Sequence, residues 1–481
     1  MSFSTLVTEF DRGFVLAGRA DKSGRPIEIR SPFSGTVIGR TYEADAANLE
    51  HATQAAQRVF SQTRVLTSYE RKRILQAVSA GIQQRRGEFA RTMALEAGKP
   101  IKTALAEVDR AVFTFQIAAE EATRISGEYL PLDLLSSTAG RWGLLRRFAI
   151  GPVFAITPFN FPLNLVAHKI APAIAAGCSI LLKPAPQTPF CALALAELVL
   201  EAGWPPEALS VMPMSNDVAA RAVADDRFKL LTFTGSSAIG WQLRQRSGKK
   251  KVVLELGGNA GVIIHSDADI DFAVERCLVG GFSYAGQSCI SVQRIFVHSS
   301  VQERFLEKLL NGVTQLKVGD PLEESTDVGP MIRESDAQRA EDWIRQAVQA
   351  GATLHCGGVR AKSVLAPAVL TGTRPEMLVN CREIFAPAVT VEGYDDFDQA
   401  LAAVNRSDFG LQAGLFTNDA RLIFRAYEEL EVGGVVVGDV PSFRVDHMPY
   451  GGVKDSGIGR EGLRYSIEEM TEQKLLVMNL R

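Results

Sequence analysis

The sequence predicts an α/β fold organised around buried parallel sheet. Two alternating runs and one stretch of different character carry that reading. Between residues 148 and 256, apolar strand candidates fall at 148–157, 179–182, 209–212, 229–233 and 251–256. Helical segments at 162–176, 188–202, 216–224 and 236–247 separate them. Strands spaced by helices of about ten to fifteen residues form βαβ units, whose strands are covered on both faces and so read as continuous apolar runs. A second alternation follows from 260 to 437, with strands near 261–264, 293–298, 388–392 and 433–437. Residues 127–147 break the pattern: Pro131 and a Ser136–Gly140 turn cluster stand between two apolar stretches, which predicts a β-hairpin off the main body.

The remaining elements follow in order. Residues 1–50 read as an opening region of short strands, with turn signals at 22–26 and 31–35. From 45 to 123 the pattern is helical, interrupted by Gly81 and Gly87 and broken at 96–100. The tail, 475–480, is a short apolar strand that nothing local can cover. Residues 148–167 form 20 positions without a charge, long enough to span a bilayer. Pro152, Pro158 and Pro162 cut that run into a strand, a turn and a helix start, so it reads as buried core rather than an anchor.

Composition narrows the function. At roughly 150 residues per domain, 481 residues are about three domains' worth of chain. The apolar share of 46%, the charged share of 22% and a net charge of −3 are those of an ordinary globular protein. That balance excludes a surface built for nucleic acid. Cys178, Cys191, Cys277, Cys289, Cys356 and Cys381 form neither a CxxC pair nor a disulfide framework, and the six histidines are scattered. No metal site is expected. The first residues carry acids where a secretion signal would be apolar, so a reducing, cytoplasmic location is expected.

Three residues carry candidate chemistry. Cys289, in Tyr284-Ala-Gly-Gln-Ser-Cys289, sits in a Gly/Ser-rich turn that can expose a thiol, and a nearby helix terminus can lower its pKa. The alternative is a small buried hydrophobe. Glu255 ends the strand Lys251-Val-Val-Leu-Glu255 before a Gly-Gly turn. Its partly desolvated carboxylate, with a raised pKa, can act as a general base, or it is a salt-bridged strand end. Asn160, between two prolines after the first strand of the alternating run, offers an amide donor for an oxyanion, or simply forms the turn. Phosphate signals are weak. Gly235-Ser-Ser-Ala-Ile-Gly240 has a P-loop's glycine spacing, but Trp241 stands where lysine is needed. A strand, a Thr234-Gly-Ser-Ser turn and a helix start remain, with Lys183 at another strand's carboxyl end.

Together these pieces resemble the aldehyde dehydrogenase superfamily. The resemblance is carried by Thr157-Pro-Phe-Asn160-Phe-Pro, Leu182-Lys183-Pro-Ala, Phe233-Thr-Gly-Ser236, Glu255-Leu-Gly-Gly258, Gly286-Gln-Ser-Cys289 and Glu383-Ile-Phe385, in family order. Pro449-Tyr-Gly-Gly-Val-Lys454-Asp-Ser-Gly-Ile-Gly-Arg-Glu-Gly resembles the family's C-terminal signature. The match implies a Rossmann-like NAD(P)-binding domain (1–126 and 148–257), an α/β catalytic domain (258–446) and a bridging element (127–147 and 467–481). The bridging element implies a homodimer or homotetramer. It also implies oxidation of a small-molecule aldehyde by NAD, with NADP possible, to a free acid. Cys289 would be the nucleophile, Asn160 and the Cys289 N–H would hold the oxyanion, and Glu255 would activate the hydrolytic water. Thr157, Pro158, Phe159 and Gly235 would line the cofactor site. Lys183 would contact the adenosine ribose, Ser236 the pyrophosphate, and Glu383 with Phe385 the nicotinamide ribose.

Departures from the family pattern fall at the adenine end. Pro186 stands where many members have a ribose-chelating Glu, Glu207 replaces a turn glycine, and a further glycine is lost around Met214. Ala386 for Gly is tolerable. Members that pass the acyl group to coenzyme A lack the base at the Glu255 position, which argues against that alternative. A cofactor-binding relative without activity would not need Cys289, Glu255 and Asn160 together. Members handling short hydroxylated or anionic aldehydes look most similar around Cys289 and in Phe443-Arg-Val-Asp-His447. Arg110 and Arg444 are therefore candidates to hold a substrate anion. The other reading makes both surface arginines paired with acids such as Asp109 and Asp446.

Overall fold

The structure, a computed structural model, describes residues 10–479. The first nine positions of the opening region and of the expected signal-free terminus lie outside the described residues, as does Leu480 of the tail strand.

Two large sheets form the body. In the first, five parallel strands run in the spatial order Lys251–Glu255, Leu230–Thr234, Val153–Ile156, Ile180–Lys183, Leu209–Val211. The strand earliest in the chain is central, the next two lie to one side and the last two to the other. The chain therefore reverses direction between Val153–Ile156 and Leu230–Thr234, the kind of switch point outside which α/β sheets bind ligands. Antiparallel strands close both edges: Phe14–Leu16 with Arg19–Asp21 on one, and Gly457–Ile458 on the other. The second sheet has seven strands, with Ala260–Ile264, Val292–His298 and Ala388–Tyr394 parallel at its centre. Each sheet has its own apolar core.

The first strand of the alternating run is shorter than the apolar pattern of 148–157 predicts. Phe148 and Ala149 belong to the hairpin strand Arg141–Ala149, and the chain bends at Gly151, with φ of +137°, and at Pro152 before Val153–Ile156 begins. Glycine takes that φ without strain, and proline cannot donate to a ladder. Hydrophobicity alone carried straight across the junction. The helical region likewise has a second break. Thr67 accepts from Glu70 N while Glu70 reaches back to Thr67 N, a reciprocal cap that starts Ser68–Gln84. The Thr-x-x-Glu spacing marks this start in the sequence, whereas helical periodicity alone runs across it. The second sheet also holds Thr353–Cys356, Ala368–Thr371 and Gln412–Phe416, strands that apolar patterning does not predict because they are short and mixed with Thr, Gly and Gln.

The hairpin strands Glu128–Pro131 and Arg141–Ala149 stand apart, as expected, and a third strand joins them. This is the tail, Thr471–Asn479, which starts four residues before the apolar stretch because its first half is polar. Leu475, Leu476 and Val477 stay about half-exposed. No helix among the described residues is long and apolar enough to cross a membrane.

Candidate active site

A cleft of about 520 Å³ lies where the two large sheets face each other. From the first sheet it receives the residues after the strand ends: Pro158, Phe159 and Asn160, then Gly235 and Ser236, then Glu255 itself. From the second it receives residues before the strand starts: Cys289 three positions ahead of Val292–His298, and Phe385 three ahead of Ala388–Tyr394. Carboxyl ends of one sheet thus meet amino ends of the other. Gly257 and Gly258 permit the approach, because a Cβ at the first would strike the Glu383 carboxylate and at the second the Cys289 carbonyl. The turn before Cys289 is strained, with Tyr284 and Ala285 at φ of +50° and +53°.

Cys289 is half-buried, with its Sγ 2.9 Å from the Tyr450 hydroxyl. Burial pushes the thiol up to about 11, against the Tyr450 hydrogen bond and the positive charge of Arg444. A helix terminus therefore does not set its acidity, contrary to the sequence expectation; desolvation outweighs it. Asn160 is buried and donates from Nδ2 to the Gln287 carbonyl at 3.0 Å, which fixes the amide and leaves its second N–H unused. Glu255 is buried with neither carboxylate oxygen hydrogen-bonded among the described residues. Burial and the negative charge of Glu461 push its carboxyl well above the ordinary range.

Behind Glu255 lies a buried charged group. Lys169 and Arg444 both pair with Glu461, the arginine at 2.9 Å. Burial opposes ionisation of Glu461, but those two cations hold it down to about 2. Lys99 and Glu107 form another buried pair, and Glu107 accepts from Leu163 N and Asn164 N at 3.0 Å each. It satisfies free N–H groups at the start of Asn164–Ala176 and so anchors the loop that carries Asn160.

The expected cofactor residues divide into two groups. Gly235, Ser236, Glu383 and Phe385 line the cleft with Pro158 and Phe159. Ser236 lines the cleft and precedes the helix Ser237–Arg246 without capping it through its side chain. Glu383 accepts from Gly258 N at 3.0 Å, and burial raises it to about 7. Phe385, at φ of +50°, packs edge-on against Phe159. Thr157 and Lys183 lie outside the cleft lining, joined through Thr157 N donating to the Lys183 carbonyl. Both are buried; the Thr157 hydroxyl lacks a partner, and the Lys183 ammonium, its pKa lowered by burial, makes no hydrogen bond among the described residues. Unpartnered donors of this kind suit ribose hydroxyls or phosphate.

Arg110 and Arg444 both line the cleft, and both are already paired. Arg110 meets Asp446 through two contacts of 2.7 and 3.2 Å with 30% of its side chain exposed, while Asp109 pairs with Arg86 instead. Arg444 pairs with Glu461 rather than Asp446 and lies 3.7 Å over the Tyr450 ring. The sequence reading missed Tyr450, Lys169, Glu461 and Glu107. Lys169 and Glu107 carried a signal, as charges within otherwise apolar helical faces; Tyr450 and Glu461 lay inside a quoted signature without being singled out.

The profile of the Aldehyde dehydrogenase family matches residues 19–476, nearly the whole chain. The chain belongs to this family. Among its aldehyde dehydrogenase relatives is a 3-sulfolactaldehyde dehydrogenase of Priestia aryabhattai, 42% identical over 469 residues, covering 97% of this chain and 98% of that one. Among solved structures, aldehyde dehydrogenase 21 from Physcomitrella patens, in complex with the reaction product succinate, superposes with a TM-score of 0.97. It is 44% identical and covers 98% of this chain and 99% of its own. A glyceraldehyde-3-phosphate dehydrogenase from Methanocaldococcus jannaschii complexed with NADP gives 0.91 at 36% identity, covering 94% and 99%.

Proposed function

We propose that this aldehyde dehydrogenase is an NAD(P)-dependent enzyme that oxidises a short anionic aldehyde to its acid and releases the acid by hydrolysis. The observation that carries the reading is one cleft holding Cys289, Asn160 and Glu255 together with the arginines Arg110 and Arg444. The Cys289 sulfur adds to the aldehyde carbon. The free N–H of Asn160 and the Cys289 backbone N–H hold the oxygen of the resulting thiohemiacetal. NAD(P), once held there, would supply the acceptor for the hydride lost from that carbon, which leaves a thioester on Cys289. Glu255 takes a proton from water, the hydroxyl adds to the thioester, and the acid leaves with the thiol restored. Lys183 and Thr157 would hold the adenosine side of the cofactor, the helix start at Ser236 its pyrophosphate, and Glu383 the nicotinamide ribose. The three relatives named above act on or retain sulfonated, carboxylated or phosphorylated molecules by their names, which supports an anionic substrate here. NAD(P)H formation with aldehydes bearing and lacking a terminal anion, with and without coenzyme A, tests the proposal. Turnover that requires coenzyme A, or none with any aldehyde, would overturn it.

Discrimination between the two cofactors rests on Pro186. A carboxylate there would favour the 2′-hydroxyl of NAD and repel the 2′-phosphate of NADP, and proline does neither. NAD should be used and NADP tolerated. Pro186→Glu should lower activity with NADP more than with NAD; equal losses would mean the residue does not face the ribose.

We also place a second copy of the chain against the half-exposed Leu475, Leu476 and Val477 of the tail strand, as a homodimer or homotetramer. The free state of the six cysteines fits a cytoplasmic location.

A further inference from the structure

Tyr450 is 2% exposed, and the polar partner of its hydroxyl is the Cys289 sulfur, 2.9 Å away. A buried phenol O–H needs an acceptor, and here it has the nucleophile. The ring cannot drift. Its backbone exchanges two hydrogen bonds with Glu461, Tyr450 N to Glu461 O at 3.0 Å and Glu461 N to Tyr450 O at 2.6 Å. The Arg444 guanidinium covers the ring at 3.7 Å and is itself tied to Glu461. The sulfur itself follows a strained turn, with Tyr284 and Ala285 at positive φ.

We propose that Tyr450 is a further catalytic residue: its hydroxyl donates to the Cys289 sulfur and stabilises the thiolate from which attack on the aldehyde begins. This rests on Cys289 being the nucleophile. The charged and titratable groups facing the sulfur are Glu255, Glu383, Arg444 and Tyr450. The two carboxyls oppose ionisation and Arg444 divides its charge with Glu461, so Tyr450 offers the one neutral O–H donor in that group. Tyr450 keeps its proton, because burial raises the phenol well above its ordinary value. The thiol proton leaves to water in the cleft, and the sulfur keeps the electron pair and accepts the phenol O–H.

Tyr450→Phe removes one oxygen and keeps the ring beneath Arg444, and an unchanged melting curve confirms the fold. The readout is the rate of Cys289 alkylation by iodoacetamide against pH, with the modified residue identified by peptide mass mapping. A hydrogen bond to a charged acceptor is worth roughly tenfold to a hundredfold, so the midpoint should rise by about one to two pH units. Alkylation at pH 8 should fall by the same factor. kcat/KM for propanal at pH 8 should fall in parallel. An unshifted alkylation midpoint would overturn the proposal. Full turnover by Cys289→Ala would instead remove the nucleophile assignment, which the alkylation midpoint does not test.

Discussion

Cys289→Ala should abolish NAD(P)H formation altogether, while Glu255→Gln should still release up to one NAD(P)H per active site in a burst and then stop. The two variants differ because the residues serve different halves of the reaction. Without the sulfur no thiohemiacetal forms, and no carbon is placed to lose hydride. Without the Glu255 carboxylate the oxidation still proceeds, but the water that must cleave the thioester is not deprotonated. Intact-mass measurement of Glu255→Gln after the burst should find the acyl group on the Cys289 peptide. The pH dependence has a definite sign. Glu255 must be ionised to act as base, and burial with the charge of Glu461 raises its pKa well above the usual value. Burial likewise raises Cys289 to about 11. Both required forms are the deprotonated ones, so turnover should rise through the neutral range toward alkaline pH. Steady-state turnover by Cys289→Ala would refute the assignment, and a Glu255→Gln protein with undiminished turnover would move the base elsewhere.

The sequence exposed the parts of this site that depend on chain-local chemistry. The Gly257-Gly258 pair, the Ser236 turn and the position of Asn160 after a strand are local features, and alternating strands and helices carry enough periodicity to place them. What it hid depends on residues far apart in the chain. Glu107 reaches the loop of Asn160 across 56 positions, and Lys169 meets Glu461 across 292. Neither pairing leaves a trace in spacing. The acidity of Cys289 was misjudged for the same reason. A turn rich in Gly and Ser reads as open, but Cys289 packs against Ile290, Leu411 and Tyr450, the last two more than 100 positions away in the chain. The extra strands of the second sheet are short and mixed in polarity, so their burial comes from neighbours rather than from their own pattern.

Arg110→Ala should penalise aldehydes with a terminal carboxylate, phosphate or sulfonate and leave propanal nearly unaffected. The two arginines that line the cleft are not equivalent for this test. Arg110 keeps 30% of its side chain exposed, and its partner Asp446 is also held by His168 and Asn164 at 2.9 and 3.0 Å. Burial opposes ionisation of Asp446, but His168 and Arg110 hold it well below the ordinary range. Removing Arg110 therefore leaves Asp446 hydrogen-bonded, and the loss should fall on the bound anion. Arg444 is 7% exposed, shares Glu461 with Lys169 and covers the Tyr450 ring, so Arg444→Ala would remove one of the two cations that hold a buried carboxylate near Glu255 and damage turnover of every aldehyde. A guanidinium that already carries one carboxylate still presents N–H groups to another anion, because its five donors are not exhausted by two contacts. A charge-assisted contact of that kind is worth ~1.5–3 kcal/mol, roughly tenfold to more than a hundredfold in kcat/KM. Steady-state kinetics with succinic semialdehyde and propanal on Arg110→Ala measure it directly. If both substrates lose activity equally, Arg110 supports the fold through Asp446, and the anion must be held elsewhere in the cleft.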